Sequence, residues 1–194
     1  MKPEEFIRLC KKKKEELERF RRSKWPRMAG EIAISHFQDN FRRGGHLTGG
    51  QVHPWPKTRR QMSGSTRAGA QNGPLLSERK VLMKSIRYVP SDAKVRVFTD
   101  LPYAAIHNFG GTINISPTVT PKMRRFAWAM YHKTKGEDGK NEFNMWKALA
   151  LTKKKKLNIK VTIPQRMFLN DAPEVRESIN KMMLEQITKI ATDF

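Results

Sequence analysis

The five histidines are the side chains most able to perform acid–base or metal chemistry, and none has the neighbours that such chemistry needs. They are His36, His46, His53, His107 and His132. None lies in an HExxH motif or pairs with the single cysteine at the spacing of a zinc site. His107 lies in the apolar stretch YAAIHNFGG, where no carboxylate nearby in the sequence orients its ring. We therefore expect a structural histidine there, with a hydrolase that uses His107 as the weaker alternative.

Motifs for phosphate binding and acyl transfer are also missing from the sequence. It contains neither GxxxxGK[ST] nor GxSxG. The closest carboxylate pairs, Glu15-Glu16 and Glu137-Asp138, stand in a charged helix and a turn, so a two-metal site is not expected. The sequence predicts no enzymatic activity, no cofactor and no metal site.

The charge of the chain indicates a polyanionic partner. The 39 Lys and Arg residues outnumber the 18 Asp and Glu residues, which gives a net charge of +21. Such a field attracts nucleic acid, acidic protein surfaces or anionic membranes. No apolar run is long enough for a bilayer and the N-terminus does not resemble a signal peptide, so we expect a cytoplasmic location without a membrane partner. A lone Cys10 excludes an internal disulfide.

A run of four lysines, Lys153, Lys154, Lys155 and Lys156, is the candidate DNA-facing segment. Lysines at a loop contact phosphates and make binding salt-dependent. No motif for reading base sequence accompanies them. We expect non-specific contact with DNA, with a solvated loop as the alternative.

Two helices are predicted at the N-terminal end. Residues 3–24 form a highly charged helix with a thin apolar stripe, and Pro26 is expected to break it. A second helix over 28–42 places Ala33, Ile34, Phe37 and Phe41 on one face. The predicted division is a charged helical arm, 1–25, followed by a single domain, 26–194.

Residues 44–74 are rich in Gly, Pro, Ser and Thr and predict an extended loop. Trp55 stands between two prolines within it. A large aromatic held in this way is suited to anchoring in a partner's pocket. Folding onto its own domain is an equal alternative.

The remaining pattern predicts an α+β fold, with a small, mostly antiparallel sheet packed against several helices. Alternation predicts strands at Lys94–Thr99, at Thr112–Ile115 and at Leu157–Pro164. Further helices are predicted at 75–86, with Leu75, Leu82 and Ile86 available for the core, at 103–109, and from Thr120-Pro121, with Phe126 and Ala127 on its inner face. After a turn at 135–141, a short helix is predicted at 143–151.

A capping box of Asp171 and Glu174 predicts the start of a C-terminal helix. Its expected inward stripe is Val175, Ile179, Met182, Met183, Ile187 and Ile190.

Four sequence blocks resemble the phage virion morphogenesis family, the tail-completion and neck proteins of Mu-like and P2-like tailed phages. The blocks are HFQDNF with the following Trp55-Pro56, LL…L…SI from Leu75 to Ile86, YAAIHNFGG from Tyr103 to Gly111, and IPQRMFLN from Ile163 to Asn170. Lys80 departs from the family's usual Gly and favours a continuous helix there, and Met167 and Asn170 replace a Pro and a Gly. The charged N-terminal helix resembles an addition.

The resemblance implies a structural virion protein that forms a ring, with sixfold symmetry, at the head-proximal end of the tail. Its implied partners are other copies of itself, neck or connector proteins, tail tube proteins and transiting double-stranded DNA. It would be assembled in the host bacterial cytoplasm. A non-specific nucleic-acid-binding protein is the alternative.

Two groups of residues are expected to carry architectural roles under this resemblance. Tyr103, His107, Gly110 and Gly111 are expected to form a structural corner, with Tyr103, Ala105 and Ile106 on its packed side and Asn108 helping His107 to hold it. Trp55, Arg166, Phe168 and Leu169 are expected to contact a neighbouring subunit or, alternatively, to lock the C-terminal helix in place.

Overall fold

A computed structural model describes residues 2–62, 71–134 and 140–192, without the side chains of 140–143. The chain forms two compact units: unit 1 is Met1–Gly110 with Pro164–Phe194, and unit 2 is Gly111–Ile163. The predicted α+β class is confirmed, since the described strands form small antiparallel sheets of two strands each beside several helices. The arm-and-domain boundary at residue 25 stays a prediction; the two units divide elsewhere.

Helices and short strands follow one another irregularly along the described residues. The helices are α1 Pro3–Arg19, α2 Trp25–Arg43, α3 Arg59–Met62, α4 Val81–Lys84, α5 Ala104–Phe109, α6 Pro121–Thr134, α7 Lys140–Leu151 and α8 Pro173–Thr192. The strands are β1 Gly45–Thr48, β2 Gln51–Pro54, β3 Arg87–Ser91, β4 Lys94–Phe98, β5 Gly111–Ile115 and β6 Ile159–Ile163.

The predicted helix break at Pro26 is wrong. A π-helical segment, Phe20–Lys24, joins α1 to α2, and the N–H of Trp25 donates to the carbonyl of Phe20. Proline lacks an N–H and its ring crowds the carbonyl four residues earlier, so a wider turn accommodates it without ending the helix. The helix ends at Gly44, whose φ of 68° lies in the left-handed region.

The predicted inward face of α2 is confirmed. Ala33, Phe37 and Phe41 are buried in the core of unit 1, and Ile34 packs against that core. Gly30 lies on the same helix beneath Tyr88, where an added Cβ would come within 2.3 Å of the ring. Glycine at position 30 therefore lets β3 lie close to α2.

The first part of the predicted loop 44–74 is a β-hairpin. Strands β1 and β2 pair antiparallel, and Gly49 and Gly50 turn the chain with φ values of 62° and 74°. Each strand has only four residues, too few for a clear alternation. Residues 63–70 lie outside the described residues.

The predicted helix 75–86 is also wrong, because only α4 is helical in this stretch. Lys80 has φ 52° and ψ 37°, and Leu75 also has a positive φ. Lys80 therefore interrupts the expected continuous helix with a backbone conformation that glycine adopts more easily. Leu82 and Ile86 are buried, as predicted, and Leu75 packs against the core.

The predicted strand at 94–99 is confirmed and pairs with β3, which the sequence pattern did not predict. In unit 2, β5 pairs antiparallel with β6, and α6 packs against α7. Within α6, Ala127 is buried, but Phe126 is 57% exposed, so its predicted inward position is wrong. The predicted turn at 135–141 falls largely outside the described residues.

Helix α8 presents a half-buried stripe of Val175, Ile179, Met182, Met183 and Ile190, and the predicted Ile187 is exposed. The predicted capping box is wrong. Oδ1 of Asp171 lies 3.4 Å from Nε of Arg176, in an ion pair. Oε1 of Glu174 accepts a 2.7 Å hydrogen bond from the N–H of Gly50. Glu174 therefore ties α8 to the turn of the β1–β2 hairpin.

Candidate functional site

Asn108 holds together the corner that the sequence predicted. Its Oδ1 accepts hydrogen bonds from the N–H groups of Phe168 and Leu169, both at 2.9 Å, and its Nδ2 donates to the carbonyl of Leu169 at 3.1 Å. The side chain thus pairs with an extended segment as a neighbouring strand would. Asn108 is 6% exposed and Phe168 is fully buried, so no water can replace Asn108 as the partner of the Phe168 N–H.

Arg166 joins the same segment to two other parts of unit 1. Its N–H donates to the carbonyl of His107 at 2.8 Å, and its guanidinium donates to the carbonyls of Pro56 at 3.0 Å and Lys57 at 3.4 Å. The residue is 5% exposed. Burial lowers the pKa of the guanidinium, and no carboxylate in the described part of the chain forms an ion pair with it.

Trp55 completes this arrangement from the β1–β2 hairpin. Its indole N–H donates to the carbonyl of Met167 at 3.1 Å, and its ring meets Phe41 edge-on at 5.4 Å. Phe41 also contacts Phe168 at 5.3 Å, and both phenylalanines are fully buried. We call Trp55, Asn108, Arg166 and Phe168 the hub. Their contacts connect four segments of unit 1: α2, the β1–β2 hairpin with the residues that follow it, α5, and residues 166–169.

Gly110 lets α5 turn beside the segment that carries Arg166. Its φ of 69° with ψ of −179° is a conformation that only glycine adopts easily. An added Cβ would lie 2.8 Å from the backbone nitrogen of Gln165. Gly111 follows with φ 142°, which confirms the sharp turn predicted for the pair.

The packed side of α5 differs from the prediction. Ala104 and Asn108 are buried, whereas Ala105 is exposed, Tyr103 is 41% exposed and Phe109 is 73% exposed. The predicted inward positions of Tyr103 and Ala105 are therefore wrong, whereas Ile106 is half-buried. The two buried residues are four positions apart and so share one helix face.

His107 lines a pocket of about 330 Å³ with Tyr103, Arg166, Arg60, Thr58 and Ser77 among its walls. Burial and, second, the charge of Arg166 lower the pKa of His107 below its ordinary 6.5. Its Nδ1 is buried and finds no hydrogen-bond partner among the described residues. The imidazole is thus neutral at pH 7 without an orienting carboxylate.

The hub coincides with the sequence blocks that carry the family resemblance, and a direct comparison decides the matter. A model of the phage virion morphogenesis family matches residues 12–188. This chain belongs to the phage virion morphogenesis family. No curated protein and no solved structure gives a match. Its role therefore lies in phage virion assembly, as a virion component.

Membership of the virion morphogenesis family revises one expectation about the N-terminus. The match begins at residue 12, inside α1, so most of the charged helix belongs to the family's extent. The description of that helix as an addition is therefore wrong for residues 12–25.

The remaining candidates, Lys153–Lys156, lie in unit 2 of this family member. They are all exposed and precede β6. Lys156 forms an isolated antiparallel bridge with Thr118, and the N–H of Val119 donates to the carbonyl of Lys155 at 2.8 Å. The backbone of the tetrad thus continues the β5–β6 pairing, while its ammonium groups stay in solvent.

Composition of unit 2 adds a feature that the sequence pattern did not single out. Where side chains are described, 111–134 and 144–163, unit 2 has ten cationic residues and no carboxylate. The cationic residues are Lys122, Arg124, Arg125, Lys133, Lys147, Lys153, Lys154, Lys155, Lys156 and Lys160. Counting charge over residues 111–163 of the sequence, where 12 Lys and Arg outnumber 3 Asp and Glu, would have found this excess of positive charge.

The described residues offer little for metal or membrane chemistry. They contain no group of three or more His, Cys, Asp or Glu side chains placed to hold a metal ion. Within the same residues, no helix combines the length and apolar character needed to cross a bilayer.

Proposed function

We propose that this protein is a ring subunit at the head-proximal end of a phage tail, acting in tail completion or head–tail joining. The ring has six copies, following the sixfold symmetry of long tails that the family resemblance implies. Its neighbours are neck or connector proteins on one side and tail tube proteins on the other. It is assembled in the host bacterial cytoplasm and makes no membrane contact.

The apolar surface of unit 2 carries this proposal. Seven large apolar side chains of this unit are exposed: Ile113, Ile115, Phe126, Trp128, Met145, Leu151 and Ile159. Its buried residues, where described, are only Ala127, Thr134 and Ala150. Exposed apolar surface of this extent is typical of subunits that become covered by partners.

The hub supports the assembly role from inside unit 1. Trp55, Arg166 and Phe168 are buried within their own unit, and Leu169 packs against its core. Of the two alternatives for these residues, we therefore retain the one in which they lock the C-terminal segment. The hub supplies a rigid base, and partner contacts are assigned to surfaces elsewhere.

Contact with transiting DNA is the second part of the proposal. Over residues 111–163 the sequence has 12 Lys and Arg against 3 Asp and Glu, so the field of unit 2 is strongly positive. Lys153–Lys156 are exposed and lie in this field. We propose that they face duplex DNA and contact its phosphates without reading sequence.

The proposal includes no catalytic step and no cofactor. His107 is neutral at pH 7, and no nucleophile and no orienting carboxylate forms a hydrogen bond with its ring in the described chain. If replacing His107 with Ala abolished a hydrolytic activity while leaving assembly unchanged, the protein would be a hydrolase and this proposal would be wrong.

The protein contains its own matched control for the DNA contact. Lys11–Lys14 form a second lysine tetrad, in α1, but Glu15, Glu16 and Glu18 follow it closely. Replacing Lys153–Lys156 by Gln and, separately, Lys11–Lys14 by Gln removes the same charge. We expect the first variant to lose more than tenfold in affinity for duplex DNA at 0.15 M salt, with a smaller salt slope, because four phosphate contacts are removed. Equal losses would contradict the assignment.

Mass photometry of the purified protein, with and without tail tube protein, tests the ring. We expect a discrete ring-sized species that increases when tail tubes are present. A monomer that never caps tails but binds duplex DNA tightly at physiological salt would favour the alternative, a non-specific nucleic-acid-binding protein.

A further inference from the structure

We propose that the ribbon formed by β5 and β6 pairs edge to edge with the ribbon of a second copy, so that β6 of one copy lies beside β5 of the next. This inference rests on the proposed ring and names the surface that closes it.

The ribbon has an apolar face and two unpaired edges. Ile113 lies opposite Val161 and Ile115 opposite Ile159, whereas Thr112 lies opposite Thr162 on the other face. No third strand of the described chain pairs with either edge. An isolated two-stranded ribbon is at best marginally stable in water, and an exposed edge is a template for another strand.

The distribution of charge indicates that the strand pairing with the free edge of the ribbon comes from a second copy of this chain. Copies with a net charge of +21 repel each other, and within the cationic unit 2 strand edges approach more easily along the ribbon than at Lys153–Lys156. The ribbon has one charged side chain, Lys160, among ten residues, and seven of the ten are β-branched. Low charge, high β propensity and the absence of proline are the features of segments that pair between chains.

Ring geometry fits this pairing. In a ring, each copy presents two different surfaces to its two neighbours. Since β5 and β6 are antiparallel within a copy, placing ribbons side by side in the same direction makes β6 antiparallel to the β5 of the next copy. The result is a continuous antiparallel sheet without free edges.

Such pairing brings the lysine tetrads of neighbouring copies close together. The backbone pairing continues past the ribbon, where the N–H of Leu157 donates to the carbonyl of Pro117 at 3.0 Å and Lys156 bridges to Thr118. Adjacent tetrads repel, and salt or a polyanion reduces that repulsion. We therefore expect the ring population to rise with ionic strength or with added duplex DNA.

Cross-linking between separately purified variants tests the pairing. In a Cys10→Ser background, Thr112→Cys and Thr162→Cys place one thiol on each strand, at positions that are exposed. The two proteins are mixed with a short bismaleimide at 0.5 M salt. We expect covalent dimers in the mixture at least tenfold above either variant alone. Asn114→Cys with Lys160→Cys provides an independent second pair.

Ser91→Cys, on the exposed end of β3 in unit 1, is the matched control. Mixed with Thr162→Cys, it should give only background cross-linking. Dimers of Thr112→Cys alone would show a two-fold contact between identical strands and overturn the proposal. Background cross-linking by both ribbon pairs would also overturn it.

Intact particles separate this inference from the proposed function. If the protein forms a ring in the particle but neither ribbon pair cross-links there, only the ribbon pairing fails. If particles lack the protein, the proposed ring itself fails.

Discussion

Both units expose large apolar side chains, but only unit 1 also buries large ones among the residues that the structure describes. Unit 1 buries Phe41 and Phe168 completely and satisfies the backbone around them with Asn108. Unit 2 buries alanines and a threonine where it is described and exposes Phe126, Met145 and Leu151. Unit 1 therefore contains the interactions for its own stability, whereas much of the apolar surface of unit 2 is available to partners.

Removing one phenylalanine from each unit gives the largest expected contrast. Phe168→Ala leaves a cavity in the core of unit 1 and should lower the free energy of unfolding by about 3–5 kcal/mol. Phe126→Ala in unit 2 should cost about 1 kcal/mol or less, because that ring is 57% exposed and the change removes an edge-on contact with Trp146 at 5.7 Å. Equilibrium urea unfolding of the purified protein measures both, and equal losses would remove the distinction between the units.

Two asparagines sharpen the same contrast. Asn108→Ala leaves the two N–H groups and one carbonyl that it now pairs without partners, which should cost about 3 kcal/mol. Asn114→Ala, on the exposed strand β5, should change stability by about 0.5 kcal/mol or less. A loss at Asn114 as large as that at Asn108 would show that the ribbon is held within the monomer.

Acidification should weaken unit 1 through three half-buried histidines. Burial lowers the pKa of His36, His46 and His107 below the ordinary value of 6.5. Near pH 6 the unfolded chain therefore binds more protons than the folded chain. The contribution of these histidines to the free energy of unfolding is complete above pH 6.5 and is lost as the pH falls toward their folded-state pKa values. Urea midpoints measured from pH 7.5 to 5.5 should fall, and His107→Gln should flatten the decline. A midpoint independent of pH would contradict the burial of these rings.

Replacing either of two lysines in unit 1 with glycine gives the smallest expected changes in the free energy of unfolding, and the two changes have opposite signs. Lys80→Gly should raise the free energy of unfolding by about 0.5 kcal/mol, because left-handed backbone costs a lysine more than a glycine. Lys84→Gly, in α4, should lower it by about 0.5–1 kcal/mol. Thermal unfolding of both variants measures the difference. Destabilisation by Lys80→Gly would mean that the lysine side chain itself supports the turn.

Local patterns predicted the elements that depend on neighbouring residues. The apolar face of α2 and the Gly110-Gly111 turn follow from periodicity and from glycine's backbone freedom, and both are confirmed. Features that depend on distant residues escaped prediction. Trp55 stayed open between two roles because its partner, the carbonyl of Met167, is 112 positions away. The predicted capping role of Glu174 failed for the same reason, because its hydrogen-bond partner, the N–H of Gly50, lies 124 positions earlier.

Electron cryo-microscopy of the intact particle tests the central claim most directly, namely that the exposed surface of unit 2 is covered by assembly. We predict a ring of this protein between head and tail, with Ile113, Phe126 and Ile159 in contact with neighbouring subunits or tail proteins and Lys153–Lys156 facing the DNA channel. A particle without this protein, or a ring in which unit 2 projects uncovered into solvent, would contradict it.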